Sequence, residues 1–392
     1  MILPSRINIK YDIFLLVAWE SMELNRSVLV VTREPLAGAS LTNLLFLLQQ
    51  NRFNIDIRYI PRMLYAIAIS SIMTPLRIRE FIHFDNSINS ITIDKPPLFI
   101  LGHWRSGTTY LHNVLSLDSA FGYFSTLHAS VPGVFLGHEA LIKSFVKTSL
   151  PDKRPMDDVL MGPDLPQEDE FALAASSPYS ANHGLCFPRN SECYNRFIFM
   201  DDVSQKIKDE WKEIYLYLIK KETWYWQGRR LVIKNPANTA RVQLLLEMFP
   251  EARFIHISRN PYHVYLSMLK LLRSIVPFMC VQKPPEEPEI ERRVLQVYKR
   301  MYMNYLKQRT RIPKGNLIEI RYEDFIHHPL DQLRNIYSQL HLSGFRESEK
   351  KFAQYIASQA KVKTQTYVLS DRIKETIYSE WKFAFDSFHY EK

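Results

Sequence analysis

Cysteine is nearly absent: Cys186, Cys193 and Cys280 are the only three in 392 residues. An odd number at these spacings makes neither a disulfide framework nor a metal-ligand pattern, and it fits a reducing compartment. Long apolar runs are missing too. The longest charge-free stretches, "PLAGASLTNLLFLLQQN" and "MLYAIAISSIMTPL", fall short of the roughly 18 to 20 apolar residues of a spanning helix. "DIFLLVAW" near the start carries Asp12 and lacks the small-residue cleavage site of a secretory signal. No membrane crossing is expected, and the expected location is cytoplasmic, with contact at the inner face of a membrane left open. There is no internal repeat, no low-complexity tract and no basic arm. The 50 Lys and Arg against 41 Asp and Glu, net +9, are scattered along the chain. Such a surplus favours anionic partners, a nucleotide or an acidic lipid surface, and its dispersal ranks nucleic acid last.

What is present is an ordinary globular composition, 46% apolar and 13% aromatic, in a chain long enough for one large domain or two modest ones. Residues 1–95 form a helical region punctuated by Pro35, Pro61 and Pro75, with "RMLYAIAISSIMTPLRIREF" reading as an apolar helix flanked by arginines. Two roles fit it: a helical hairpin packed on the main domain, or an interfacial helix with its apolar side in a bilayer. From Leu98 the pattern changes to strand, loop and helix. "LFILG", "LVIKNP" (231–236), "RFIHISRNP" (253–261) and "NLIEIRYEDF" (316–325) are short apolar strands separated by helical segments. Strands buried on both faces and alternating with helices predict an α/β fold, a P-loop-like α/β/α sandwich with a central parallel sheet over residues 96–392. "QKPPEEPEIERR" reads as a surface loop entering a long amphipathic helix to about Arg309.

One stretch carries chemistry. In "PPLFILGHWRSGTTYLHNVL" (96–115), Gly102, four residues and then Gly107-Thr108-Thr109 reproduce the frame G-x-x-x-x-G-K-[ST], with threonine where lysine belongs. A glycine-rich turn between strand and helix aims backbone N–H groups and the positive end of the helix dipole at an anion. A nucleoside triphosphate also needs the loop lysine and a strand-end acid holding magnesium. Thr108 replaces the lysine, and the strand "FIHIS" runs into Arg259, the opposite charge. The pattern predicts an anion with a single 5′-phosphate group, held by Arg105, Ser106, Gly107, Thr108 and Thr109 without metal.

"GHWRSGTTYLHNVL" resembles the 5′-phosphosulfate loop of sulfotransferases that use 3′-phosphoadenosine 5′-phosphosulfate (PAPS). "RNPYHVYLS", with Arg259 followed eight residues later by Ser267, is similar to the family's second signature, which holds the 3′-phosphate. A forked, permanently charged guanidinium suits that task. "IRYEDFIHHPLDQL" (320–333) resembles a further family segment, and "RYIPRMLYAIAIS" resembles the bacterial, lipid-directed members. The likeness runs from about Pro96 to Leu342. It implies PAPS as co-substrate, no metal, and a hydroxylated, lipophilic acceptor. The lysine-threonine-histidine stretch and C-terminal glycine-rich motif of the cytosolic aryl and steroid enzymes are missing.

Sulfuryl transfer needs a base for the acceptor proton, positive charge for the bridging oxygen, and in-line placement. Lys234 in "VIKNP" is the expected cation, and its K-x-P setting resembles the family's; a strand-end lysine reaching solvent is the plain alternative. For the base, "DLPQEDEFAL" (164–173) offers Glu170: were Gln167 to open a helix, Glu170 would face the cleft and Glu168 and Asp169 water. A helix start merely favoured by the dipole fits these acids equally well. His103 inside the loop is the rival base, with His128 behind it. The aromatic C-terminus, "EWKFAFDSF" and "FHYEK", is expected as a docked helix or as a pocket wall. Two other functions fit less well. A phosphate-loop kinase requires magnesium and the missing lysine, and a non-catalytic nucleotide-binding membrane protein would tolerate loss of Lys234 and Glu170.

Overall fold

The computed structural model describes residues 31–154, 157, 159–359 and 369–392. Five strands form one sheet in the order β2-β3-β1-β4-β5: β1 Leu98–Leu101, β2 Phe121–Gly122, β3 Arg230–Lys234, β4 Arg253–Ser258 and β5 Leu317–Arg321. Every pairing is parallel, with Phe99 opposite Ile233 on one side and Phe254 on the other. The four expected strands are all present. The two-residue β2 was missed because nothing that short carries a period.

Alternation along β1 explains the layers. Phe99 and Leu101 face a core shared with helices Gln205–Tyr225, Pro261–Met279, Glu287–Gln308 and Asp371–Phe388. Leu98 and Ile100 face the opposite core, closed by helices Thr108–Leu115, Pro329–Gln339 and Phe345–Gln359. The result is a three-layer α/β/α sandwich. Pro261 opens its helix at the first position, where proline's missing N–H costs nothing, whereas Pro236 begins a 3₁₀ turn, Pro236–Ala240. The C-terminal helix docks through Trp381, Phe385 and Phe388, all buried.

The N-terminal region is helical where described. Leu41–Gln50 is followed by a helix of 30 residues, Ile60–Asn89, which continues through Pro75. Tyr59, Met63 and Ala66 join the main core. A buried ion pair, Arg62 to Glu34 at 2.7 Å, pins the region to the body, because Arg62 also donates to the carbonyls of Phe278 and Cys280. Among the described residues no helix is long and apolar enough to cross a membrane.

Candidate active site

The carboxyl ends of β1, β3 and β4 converge where an open parallel sheet binds its ligands. Gly102 (φ 143°) and Gly107 (φ 96°) sit in backbone regions that side chains rarely adopt. A Cβ at Gly102 would lie 2.5 Å from the Ile257 carbonyl oxygen, and one at Gly107 would strike the Tyr322 ring at 2.3 Å. Between them Arg105 also adopts a positive φ, 73°. The first turn of Thr108–Leu115 follows, with N–H groups that have no preceding carbonyl to bond. Ser106 Oγ donates to the His103 carbonyl at 2.6 Å, and Thr239 Oγ1 donates to the Gly102 carbonyl at 3.2 Å. The loop is therefore held by one of its own side chains, Ser106, and by Thr239 of the Pro236–Ala240 turn.

The two separately predicted turns touch. Arg105 Nε donates to Ser267 Oγ at 2.8 Å, and Arg259 Nη1 donates to the Arg105 carbonyl at 3.0 Å. The Arg259 guanidinium lies over the Tyr322 ring, 4.4 Å from its centroid. Arg105 Nη1 also donates to Asp157 at 2.7 Å, and Arg154 holds the same carboxylate at 2.7 Å. Burial raises the Asp157 pKa, but the charges of Arg154 and Arg105 outweigh it and hold the carboxyl below its usual range. Asp157 and Arg154 had no signal in the sequence, since their role depends on contact with Arg105.

Lys234, buried at the end of β3, donates to Glu168 Oε1 at 2.5 Å and lies 3.4 Å from Thr109 Oγ1. Burial lowers its pKa despite the charge of Glu168. Glu170 does not face this cleft. The helix starts at Asp169, with Glu168 as N-cap, rather than at Gln167. Glu170 then points into the protein, 1% exposed, where Arg241 Nη1 at 2.8 Å, Asn235 Nδ2 at 2.7 Å, Ser180 Oγ at 2.7 Å and the Ala181 N–H at 3.1 Å all donate to it. Burial pushes its pKa up, and the Arg241 charge and these hydrogen bonds more than reverse that. Asp169 is buried as well and accepts from Tyr215 Oη at 2.5 Å; burial raises its pKa to about 7. Of the three acids only Glu168, expected to face water, lines the cleft, while Asp169 and Glu170 are both buried in the protein.

His103 is buried against Tyr298 and Trp104, and burial lowers its pKa to about 4. Its Nδ1 bonds the Trp104 carbonyl at 2.9 Å, which requires the proton there and leaves Nε2, itself without a protein partner, as an acceptor. His128 is committed elsewhere: Nδ1 meets Glu222 at 2.9 Å and the ring stacks on Phe135.

A cavity of about 430 Å³ begins at His103, Arg105, Thr109 and Glu168 and continues between apolar walls. Ala37 and Tyr65 come from the N-terminal region, Phe171 and Ala175 from Asp169–Ser176, and Leu272 and Ile275 from Pro261–Met279. Glu168 lines it; Glu170 does not. Among the described residues no group of three or more His, Cys, Asp or Glu is placed to hold a metal ion.

An α/β/α sandwich whose strand ends carry a lysine-free phosphate loop beside an arginine–serine turn defines a group-transfer enzyme, and the chain belongs to the Sulfotransferase family, whose model matches residues 96–347. It is a sulfotransferase. Omega-hydroxy-beta-dihydromenaquinone-9 sulfotransferase Stf3 of Mycobacterium bovis and of Mycobacterium tuberculosis is 29% identical over 356 residues, 91% of each chain. The fold is shared with sulfotransferase STF1 of Mycobacterium tuberculosis (TM-score 0.65, 16% identity, 87% of this chain and 91% of that one) and STF9 of Mycobacterium avium (TM-score 0.67, 17% identity, 90% and 97%).

Proposed function

We propose that this sulfotransferase moves a sulfuryl group from PAPS to the hydroxyl of a lipophilic, membrane-resident acceptor, without a metal ion. The observation that carries the reading is an apolar cavity whose wall includes Arg105, Thr108 and Thr109 of the glycine-framed loop and Glu168, the carboxylate held by Lys234. The donor set fits the co-substrate: two guanidinium groups, hydroxyls and a glycine cradle that a Cβ would fill. Arg259 and Ser267 would hold the 3′-phosphate, and Arg105 through Thr109 the 5′-phosphosulfate. That group supplies the sulfuryl to be transferred; the chain supplies charge, alignment and a proton acceptor.

Glu168 takes the acceptor's hydroxyl proton as the new O–S bond forms, because of the two carboxylates on the cavity wall it is the one beside Lys234 and Thr109, whereas Glu34 is paired with Arg62. The Lys234 ammonium offsets the charge left on the departing bridging oxygen. The tautomer of His103 makes Nε2 a second acceptor site for a hydroxyl proton at the same end of the cavity. The mycobacterial relative's named substrate is a hydroxylated menaquinone, and an apolar channel suits an acceptor of that chemistry. A lipid acceptor puts the protein against a membrane, and three unpaired cysteines favour the cytoplasmic face. No nucleic-acid partner is proposed.

The test is incubation with labelled PAPS and a lipid extract. Labelled lipid should form with wild type and fail to form with Glu168→Gln or Lys234→Ala. Transfer at wild-type rate by both variants would remove the assignment.

A further inference from the structure

Among the described residues nothing covers the outer face of helix Ile60–Asn89. Ten of the fifteen exposed large apolar side chains among the described residues fall between Leu45 and Ile82. Along the helix Ile60, Leu64, Ala68, Ile72 and Pro75 are exposed at spacings of three and four residues, which is one stripe of a helical surface. Ile57, 84% exposed, extends the stripe through the preceding turn. The opposite side of the helix is buried at Met63, Ala66, Ser70 and Met73. Normal amphipathicity puts the charged face outward. Here the outward face is apolar.

Up to Arg79 its fully exposed charges are all positive. From Pro35 to Arg79 the only carboxylate is Asp56, which is paired with Arg189, whereas Arg52, Arg58 and Arg79 are exposed. Carboxylates enter at the far end, where Asp85 of the same helix is part-exposed and Glu80 and Glu213 line a groove beside Ile78 and Phe81. The centre of the face is therefore Ile57 to Ile72. The same helix lends Tyr65 and Met73 to the wall of the active-site cavity.

We infer that the Ile57–Ile72 face is a docking surface for an anionic lipid bilayer, from which the acceptor passes around this helix into the cavity. The inference rests on the reading of the acceptor as a membrane lipid. Exposed arginines around an apolar stripe match anionic headgroups above acyl chains. A second copy of the same acid-poor face would offer those arginines no carboxylate. The path is short, since one helix is about 10–12 Å across.

The experiment uses the full chain with Cys193→Ser and Ile72→Cys, labelled at residue 72 with an environment-sensitive fluorophore; the two remaining cysteines are buried. The label should be solvated in buffer and shift to an apolar signal with vesicles of phosphatidylcholine containing phosphatidylglycerol, more than with phosphatidylcholine alone. Ile57→Asp with Leu64→Asp should lower vesicle affinity about tenfold or more, with affinity for adenosine 3′,5′-bisphosphate unchanged. A label already dry in buffer at every protein concentration would mean that the chain's own residues 1–30 cover the face. One that dries only as concentration rises would mean a second copy. Either result, or no response to vesicles, overturns the inference. These readouts need no turnover, so docking with no lipid sulfation would count against the proposed acceptor alone.

Discussion

Arg105 Nε donates to Ser267 Oγ at 2.8 Å across 162 residues of sequence. The contact joins the glycine-framed loop to helix Pro261–Met279, on which Ser267 lies, as the proposed binding of one nucleotide by both requires. Arg259 reinforces it from the other side by donating to the Arg105 carbonyl.

A charged hydrogen bond contributes roughly 1.5–3 kcal/mol, so Arg259→Ala should weaken binding of adenosine 3′,5′-bisphosphate by about 10- to 100-fold. Ser267→Ala removes a neutral partner and should cost roughly 2- to 10-fold. Titration calorimetry on the purified protein checks both. Unchanged affinity in Arg259→Ala would place the 3′-phosphate elsewhere.

Asp157 occupies Arg105 and Arg154 from within the chain. An incoming phosphosulfate must compete with it. Asp157→Asn is expected to tighten bisphosphate binding about 3- to 10-fold at low salt, less at high salt. Weaker binding would mean that the carboxylate serves to orient the arginines rather than to oppose the ligand.

The two glutamates should separate cleanly. Glu168→Gln is expected to lower turnover by about 10²–10⁴ while keeping an amide oxygen for buried Lys234 to donate to, so it should cost less stability than Glu170→Ala and leave nucleotide affinity intact. Glu170→Ala leaves the buried Arg241 uncompensated and should cost roughly 3–5 kcal/mol of stability. Denaturant titration beside single-turnover assays distinguishes these, and a stable but inactive Glu170→Ala would restore Glu170 as the base.

Asp169 makes stability depend on pH. Its folded pKa, raised by burial to about 7, lies well above the unfolded value of about 4. The folded state therefore binds the extra proton, and this contribution is complete below about pH 4 and lost as pH rises through about 7. Buried His103, His112, His183 and His256 act oppositely, because their lowered pKa values make the unfolded state the better proton acceptor below about 6.5. The difference between wild type and Asp169→Asn isolates the aspartate. Melting temperature followed from pH 5 to 8 should fall more steeply with rising pH in wild type. Identical slopes would show that Asp169 is charged throughout.

Ala175 lies on the cavity wall. Ala175→Phe should fill part of the apolar channel, raising KM for a long-chain acceptor about tenfold or more without altering bisphosphate affinity. An equal loss for short, soluble acceptors would show that the substitution had disturbed the helix rather than the channel.

The sequence by itself determined the parallel sheet, the glycine-framed loop and the Arg259–Ser267 turn. Each is written in local terms: apolar runs short enough to be strands, glycines where only positive φ serves, and an arginine followed by a serine eight residues on. Only the tertiary structure decided which acid meets Lys234. Start a helix two residues later and every side chain on it turns by about 200°, and the partner that claimed Glu170, Arg241, stands 71 residues away. The cavity was equally hidden, since its walls come from segments as distant as Ala37 and Ile275. Local chemistry decides what a turn can bind; long-range packing decides which neighbours stay free to react.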